Sequence, residues 1–261
     1  MSSFAPDPAL PVEVVASPNF GERRGGVSPD LLLLHYTGMP DADAALARMC
    51  APASEVSAHY LVLEDGRIVQ MVPEARRAWH AGRSSWAGET DINSHSIGIE
   101  IANPGHAFGY VDFPAAQIAA VIALGRDILA RHRIADERVL AHSDVAPLRK
   151  EDPGEKFPWG ELHAAGVGHW IEPAPIANDD GAVAPGDAGP PVVALQTRLR
   201  RYGYGLEISG CYDAQTEAVV RAFQRHFRPE RIDGIADAST RVTLARLIAA
   251  LPSAVARAPH V

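Results

Sequence analysis

The sequence predicts an α/β fold, a mixed β-sheet flanked by helices, followed by a small C-terminal three-helix domain. Three observations carry this reading. Over the first two thirds of the chain, short apolar runs alternate with a helical apolar stripe. A segment rich in Pro, Gly, Ala and Asp then interrupts all periodicity. Beyond it, apolar residues recur at helical spacing only.

Taken in order, Leu31–Leu34 is a continuous apolar run, the pattern of a strand buried on both faces, with His35 at its end. The stretch from Asp41 to Cys50 has helical character. Ser57 to Leu63 and Arg67 to Val72 flank Glu64-Asp65-Gly66, a turn signal that predicts a β-hairpin. In Ser96 to Ala102, Ile97, Ile99 and Ile101 share one face, and Gly98, Glu100 and Ala102 share the other. The small Gly98 and Ala102 leave room in front of the Glu100 carboxylate. From Ala115 to Arg131, Ile118, Val121, Ile122, Gly125, Ile128 and Leu129 fall at helical spacing. Arg138 to Ala141 reads as a further short strand ending in His142. In the C-terminal stretch, Leu195, Leu199 and Tyr202 follow i, i+4, i+7, and Asp213 and Asp237 are placed to cap two more helices. The predicted division is 1–171 for the sheet domain, 172–190 for a linker and 191–261 for the helical domain. On this reading the linker keeps the helical domain apart from every candidate site residue.

Composition narrows the class. The 261 residues carry 24 Lys+Arg against 32 Asp+Glu, a net charge of −8, so nucleic acid and anionic membrane are not expected partners. Apolar residues make up 47% and charged residues 21%, an ordinary globular balance. No run is long enough for an integral membrane segment. Two cysteines, Cys50 and Cys211, exclude a disulfide scaffold and read as buried thiols in separate domains. Nothing in the residues specifies an oligomeric state.

His35 and His142 stand at predicted strand ends, where open α/β sheets place their sites. Asp152 follows His142 by ten residues, a loop long enough to fold back beside an imidazole. Two imidazoles and a carboxylate would leave a fourth position on zinc for water, the arrangement of catalytic zinc. From spacing alone the same residues also read as packed or exposed side chains at strand ends. A Glu in an Ile-rich strand is costly unless paired or functional, although an edge-strand Glu facing water is the plainer alternative. Lys150 has the reach to approach the same mouth, or to stand as a solvated loop lysine.

LLLLHYTG, SAHYLVLEDGRIVQMV, RAWHAGRSSW, NSHSIGIEIAN and AHSDVAPLRKEDPGEKFPW occur in this order. Together they resemble the zinc-dependent N-acetylmuramoyl-L-alanine amidases of the amidase-2 group, over about Val15 to Trp170. The resemblance implies the amidase-2, or peptidoglycan-recognition-like, sheet. It implies one zinc ion per chain, held by His35, His142 and Asp152. It places the catalytic carboxylate at Glu100 and a catalytic lysine at Lys150. His80 lies in a matched block and is expected to line the substrate groove, whereas His59 is expected to support the site. His132, His163, His169, His226 and His260 read as structural or surface. The C-terminal stretch, with Leu195-Gln196, Gly203-Tyr204, Thr216, Ala222-Phe223-Gln224 and Asp233-Gly234, resembles a three-helix peptidoglycan-binding domain and is expected to anchor the enzyme to the wall.

The expected reaction is hydrolysis of the amide between N-acetylmuramic acid and L-alanine in peptidoglycan or muropeptides. A non-catalytic peptidoglycan recognition protein on the same fold is the alternative, and the complete ligand set argues against it. A zinc peptidase acting on unrelated peptides is a third reading, against which the C-terminal domain speaks. The substrate suggests the cell envelope or periplasm. No signal peptide is visible in MSSFAPDPALPVEVV, so the cytoplasm is the other compartment to consider.

Overall fold

The computed structural model describes residues 4–177 and 181–252. In chain order its elements are β1 (Glu13–Val14), β2 (Phe20–Glu22), β3 (Leu31–Tyr36), α1 (Ala42–Cys50), β4 (Tyr60–Val62), β5 (Ile68–Gln70), β6 (Arg76–Ala78), α2 (Ile92–His95) and β7 (Ser96–Ile101). There follow α3 (Ala115–His132), β8 (Val139–Ala141), α4 (His142–Val145), α5 (Trp159–Ala164), α6 (Pro190–Tyr202), α7 (Ala214–Phe227) and α8 (Ala238–Ala250). Six strands form one mixed sheet in the order β1-β5-β4-β7-β3-β8, and β2 pairs with β6 beside it.

β3 lies between β7 and β8 and runs parallel to both. Its four leucines are fully buried because both faces are covered. Leu32 and Leu34 join a core with Ile97, Ile99 and the α3 residues Ile118, Val121, Leu124 and Ile128. Leu31 and Leu33 belong to the opposite core, with Leu140 and Val145. Burying each such side chain contributes roughly 1.5–3 kcal/mol, so an unbroken apolar run is the stable choice here. The strand continues two residues past the predicted run, through His35 to Tyr36. The predicted hairpin forms from β4 and β5, closed by the amide of Gly66 donating to Leu63 O at 3.0 Å. The caps are where local chemistry puts them. Asp41, Asp213 and Asp237 accept from the amides of Ala44, Thr216 and Thr240 at 2.7, 2.8 and 2.7 Å.

Two expectations fail. Cys50 is half-buried as a free thiol, but Cys211 is exposed. More consequentially, the three C-terminal helices are not held apart from the sheet domain. Leu195, Leu199, Phe223 and Leu247 share one continuous buried core with Leu31, Leu33, Trp86 and Val145. Trp86, 2% exposed, stands edge-on to Tyr204 at 4.9 Å and to Tyr202 at 6.1 Å. Gly203 permits this approach, because a Cβ there would fall 2.4 Å from the Trp86 ring. The segment before α6 is itself docked. Ala174 accepts from Ser239 Oγ at 2.6 Å, and its amide donates to Thr243 Oγ1 at 3.0 Å. Val183 exchanges two backbone hydrogen bonds with Ala236. Backbone docking of this kind leaves no periodicity in the side chains, so composition reads the segment as a free linker.

Candidate active site

The sheet register assembles the site. His35 pairs opposite Glu100 across β3 and β7, and the two-residue period puts both on the face away from α3. β8 ends at Ala141, so His142 opens α4 directly beside the end of β3. The loop after α4 folds back. The amides of Arg149 and Lys150 both donate to Ala146 O at 3.1 Å, and the Ser143 amide donates to Asp152 O at 3.0 Å. This closure returns the Asp152 carboxylate to the two imidazoles, as the ten-residue spacing predicts.

His35, His142 and Asp152 are 1%, 2% and 5% exposed. Their facing atoms form a near-equilateral triangle. His35 Nδ1 lies 2.9 Å from His142 Nδ1 and 3.1 Å from Asp152 Oδ2, and His142 Nδ1 lies 3.0 Å from Asp152 Oδ2. Tetrahedral zinc with bonds of 2.0–2.2 Å separates its ligand atoms by about 3.3 Å, within a few tenths of these distances. The surrounding hydrogen bonds explain why a cation fits. His142 Nε2 donates to the Ala81 carbonyl at 3.1 Å, leaving a lone pair on Nδ1. On the other side, Ser96 Oγ donates to Ile92 O at 2.6 Å and receives His80 Nε2 at 3.3 Å. His80 Nδ1 then receives His35 Nε2 at 3.0 Å, which leaves the His35 Nδ1 lone pair facing the triangle. Both relays end on carbonyls that only accept, so their direction is set. Burial, reinforced by His142, lowers His35 to about 4 against the pull of Asp152, so it is neutral near pH 7. Two lone-pair nitrogens and a carboxylate oxygen thus converge with no proton to share, and these three residues can hold a metal ion.

His142 and Asp152 line a cavity of about 320 Å³ together with Glu100, Lys150 and His80. Glu100 Oε2 is buried without a hydrogen-bond partner. Burial, then the charge of Asp152, raises the Glu100 pKa well above the usual carboxyl value, opposed by Lys150. His80 touches the cavity, but its two ring nitrogens are committed to His35 and Ser96. The room expected beside Glu100 at Gly98 is filled by this ring, because a Cβ on Gly98 would fall 2.6 Å from it. His59 is buried beneath, accepting from the Gly98 amide at 3.0 Å. The cavity also has walls that sequence reasoning does not single out: Tyr36, Met39, Arg48, Met49 and Trp79. Arg48 and Met49 lie on α1, whose amphipathic pattern reads only as a packed helix. Of the remaining histidines, His132, His163, His169 and His226 are bonded within the fold, and His260 lies outside the described residues.

Comparisons with known proteins agree with this arrangement. The sequence model of the family described as N-acetylmuramoyl-L-alanine amidase matches residues 25–155, and that of a peptidoglycan binding domain matches residues 188–244. N-acetylmuramoyl-L-alanine amidase AmiD of Escherichia coli is 39% identical over 230 residues, covering 84% of this chain and 82% of the relative. A structure of AmiD in complex with the substrate anhydro-N-acetylmuramic acid-L-Ala-D-gamma-Glu-L-Lys superposes with a TM-score of 0.72 at 37% identity, over 89% of this chain and 98% of that one. AmpDh3 from Pseudomonas aeruginosa, solved with anhydromuramic pentapeptide, gives a TM-score of 0.72 at 35% identity, over 88% and 93% of the two chains. With three buried side chains that could together hold a metal ion, the chain belongs to the N-acetylmuramoyl-L-alanine amidase family.

Proposed function

We propose that the chain hydrolyses the amide bond between the lactoyl group of N-acetylmuramic acid and L-alanine, in peptidoglycan or its muropeptide fragments. The observation that carries this reading is the triangle of His35 Nδ1, His142 Nδ1 and Asp152 Oδ2 at 2.9–3.1 Å, beside the unpartnered Glu100 carboxyl. One zinc ion per chain, held by those three residues, would supply Lewis-acid polarisation and lower the pKa of a bound water. Glu100 takes the proton of the attacking water and delivers it to the leaving nitrogen. Burial raises its pKa above the usual carboxyl value, the direction that suits a group holding a proton between attack and release. The Lys150 ammonium faces the same cavity and stabilises the oxyanion that develops on the carbonyl oxygen. His80 is best read as the support that fixes the His35 tautomer, with contact to substrate as its secondary role. The intact ligand set favours catalysis over simple recognition of peptidoglycan.

Residues 1–171 form the catalytic unit in this reading, and 191–261 a module that binds polymeric wall, joined by 172–190. The family match at 188–244 supports that assignment. Relatives that act on peptidoglycan support action in the cell envelope. Among the described residues no helix is long and apolar enough to cross a membrane. Metal analysis tests the ligand assignment. The wild type should carry one zinc per chain, and His142→Ala should lose most of it. Full occupancy in His142→Ala would remove that residue from the ligand set.

A further inference from the structure

The strongest structure outside the cavity is the buried carboxylate of Asp144, two residues beyond His142. It is 0% exposed and accepts three hydrogen bonds. One comes from within the catalytic domain: the Ala141 amide donates to Oδ2 at 2.8 Å, closing the first turn of α4 on which His142 stands. The other two come from the C-terminal helices. Tyr204 Oη donates to Oδ1 at 2.7 Å, and His226 Nδ1 donates to Oδ2 at 2.7 Å. Both donors are themselves fixed. Tyr204 is 1% exposed against Trp86, and the His226 ring is stacked between Trp159 at 3.7 Å and Phe227 at 3.8 Å. Nearby, Arg225 of α7 reaches Glu151, the neighbour of Asp152, at 3.1 Å.

We infer that Tyr204 and His226 are positioning residues for the metal centre, acting through Asp144 on His142. A buried carboxylate that loses two of three donors is left largely unsatisfied and draws water or moves. Asp144 cannot move without releasing the Ala141 amide, and with it the turn that orients His142. The His142 ring itself is oriented by the Ala81 carbonyl, and Asp144 acts one step further out, through the backbone turn that carries His142; two of the three bonds that hold it come from the module that resembles a wall anchor. The inference rests on the metal-site reading proposed above and assigns the helical module a role in the catalytic unit itself.

Zinc affinity of the full-length protein, measured by chelator competition, tests it. Tyr204→Phe keeps the ring and removes one oxygen, and His226→Phe keeps an aromatic ring in the stack and removes the donor. The double variant should bind zinc about tenfold or more weakly. Tyr204→Phe alone should lose about threefold or more, and it stands as the deciding variant if the double variant does not fold. In an Asp144→Asn background, Tyr204→Phe should add less than about twofold, because both act on one carboxylate. Arg200→Ala, on the exposed face of α6, should leave affinity unchanged. Wild-type zinc affinity in folded Tyr204→Phe, or full additivity with Asp144→Asn, overturns the inference and leaves the metal-site reading intact. A wild-type protein that binds no zinc overturns the metal-site reading instead.

Discussion

Glu100 shares a register position with His35, and that single pairing brings a carboxyl to the metal-binding face. Replacing it by Gln keeps the shape and removes the titratable group. Glu100→Gln should therefore retain fold and zinc but lose about 10²–10⁴-fold in kcat, the range of a general acid/base. Near-normal turnover would sink the assignment. Lys150→Ala should lower kcat more than it raises KM, because the oxyanion exists only after attack. A change confined to KM would make Lys150 a binding residue. His80 separates two roles by a different readout. As support for His35 it should, on His80→Ala, weaken zinc about 10–100-fold in a chelator competition. An unchanged zinc affinity with raised KM would return it to the substrate groove. His35, Glu100, His142, Lys150 and Asp152 can all be picked out from strand ends, a loop length and matched sequence blocks. The hydrogen bond from His35 Nε2 to His80 Nδ1 cannot, because the two residues stand 45 positions apart in the chain and meet only through strand pairing.

At the scale of elements, periodicity and caps carry most of the information. β3, β7 and α3 follow from apolar spacing, and two helix starts follow from Asp213 and Asp237. What ties elements together is less visible. Glu74, in the turn between β5 and β6, is 2% exposed and accepts from Tyr60 Oη at 2.6 Å and Arg131 Nη2 at 2.8 Å, with His132 Nε2 at 2.6 Å. Burial would raise its pKa, but the bonds from Arg131, His132 and Tyr60 prevail and lower it from 4.5 to about 2. A depressed folded-state pKa contributes stability that is present above about 4.5 and is lost as pH falls towards 2. The term is on the order of 3 kcal/mol for this buried group. Denaturant unfolding should show stability falling across that window in the wild type and a flatter profile in Glu74→Gln. Parallel profiles for the two proteins would show that Glu74 contributes nothing to the acid response.

At the scale of the whole molecule, the sequence suggests two bodies on a tether, whereas the folded chain joins them. The Pro- and Gly-rich composition of 172–190 reports a lack of local periodicity. It is silent about whether Trp86 and Tyr204 have complementary faces, or whether Asp144 needs donors from α7. Because Leu31 and Leu33 share a core with Leu195 and Phe223, the sheet and the helices should unfold together. Calorimetry should give one transition with coincident losses of zinc and helical signal. Two separated transitions would mean that the shared core contributes little.

The central claim is the bond that is cut, and mass spectrometry of the products from intact sacculi tests it most directly. The account predicts released stem peptides beginning with a free L-alanine amine and glycan strands keeping unsubstituted lactoyl carboxylates, with neither product formed by Glu100→Gln. New glycan reducing ends, cleavage within the stem peptide, or equal product from Glu100→Gln would contradict it.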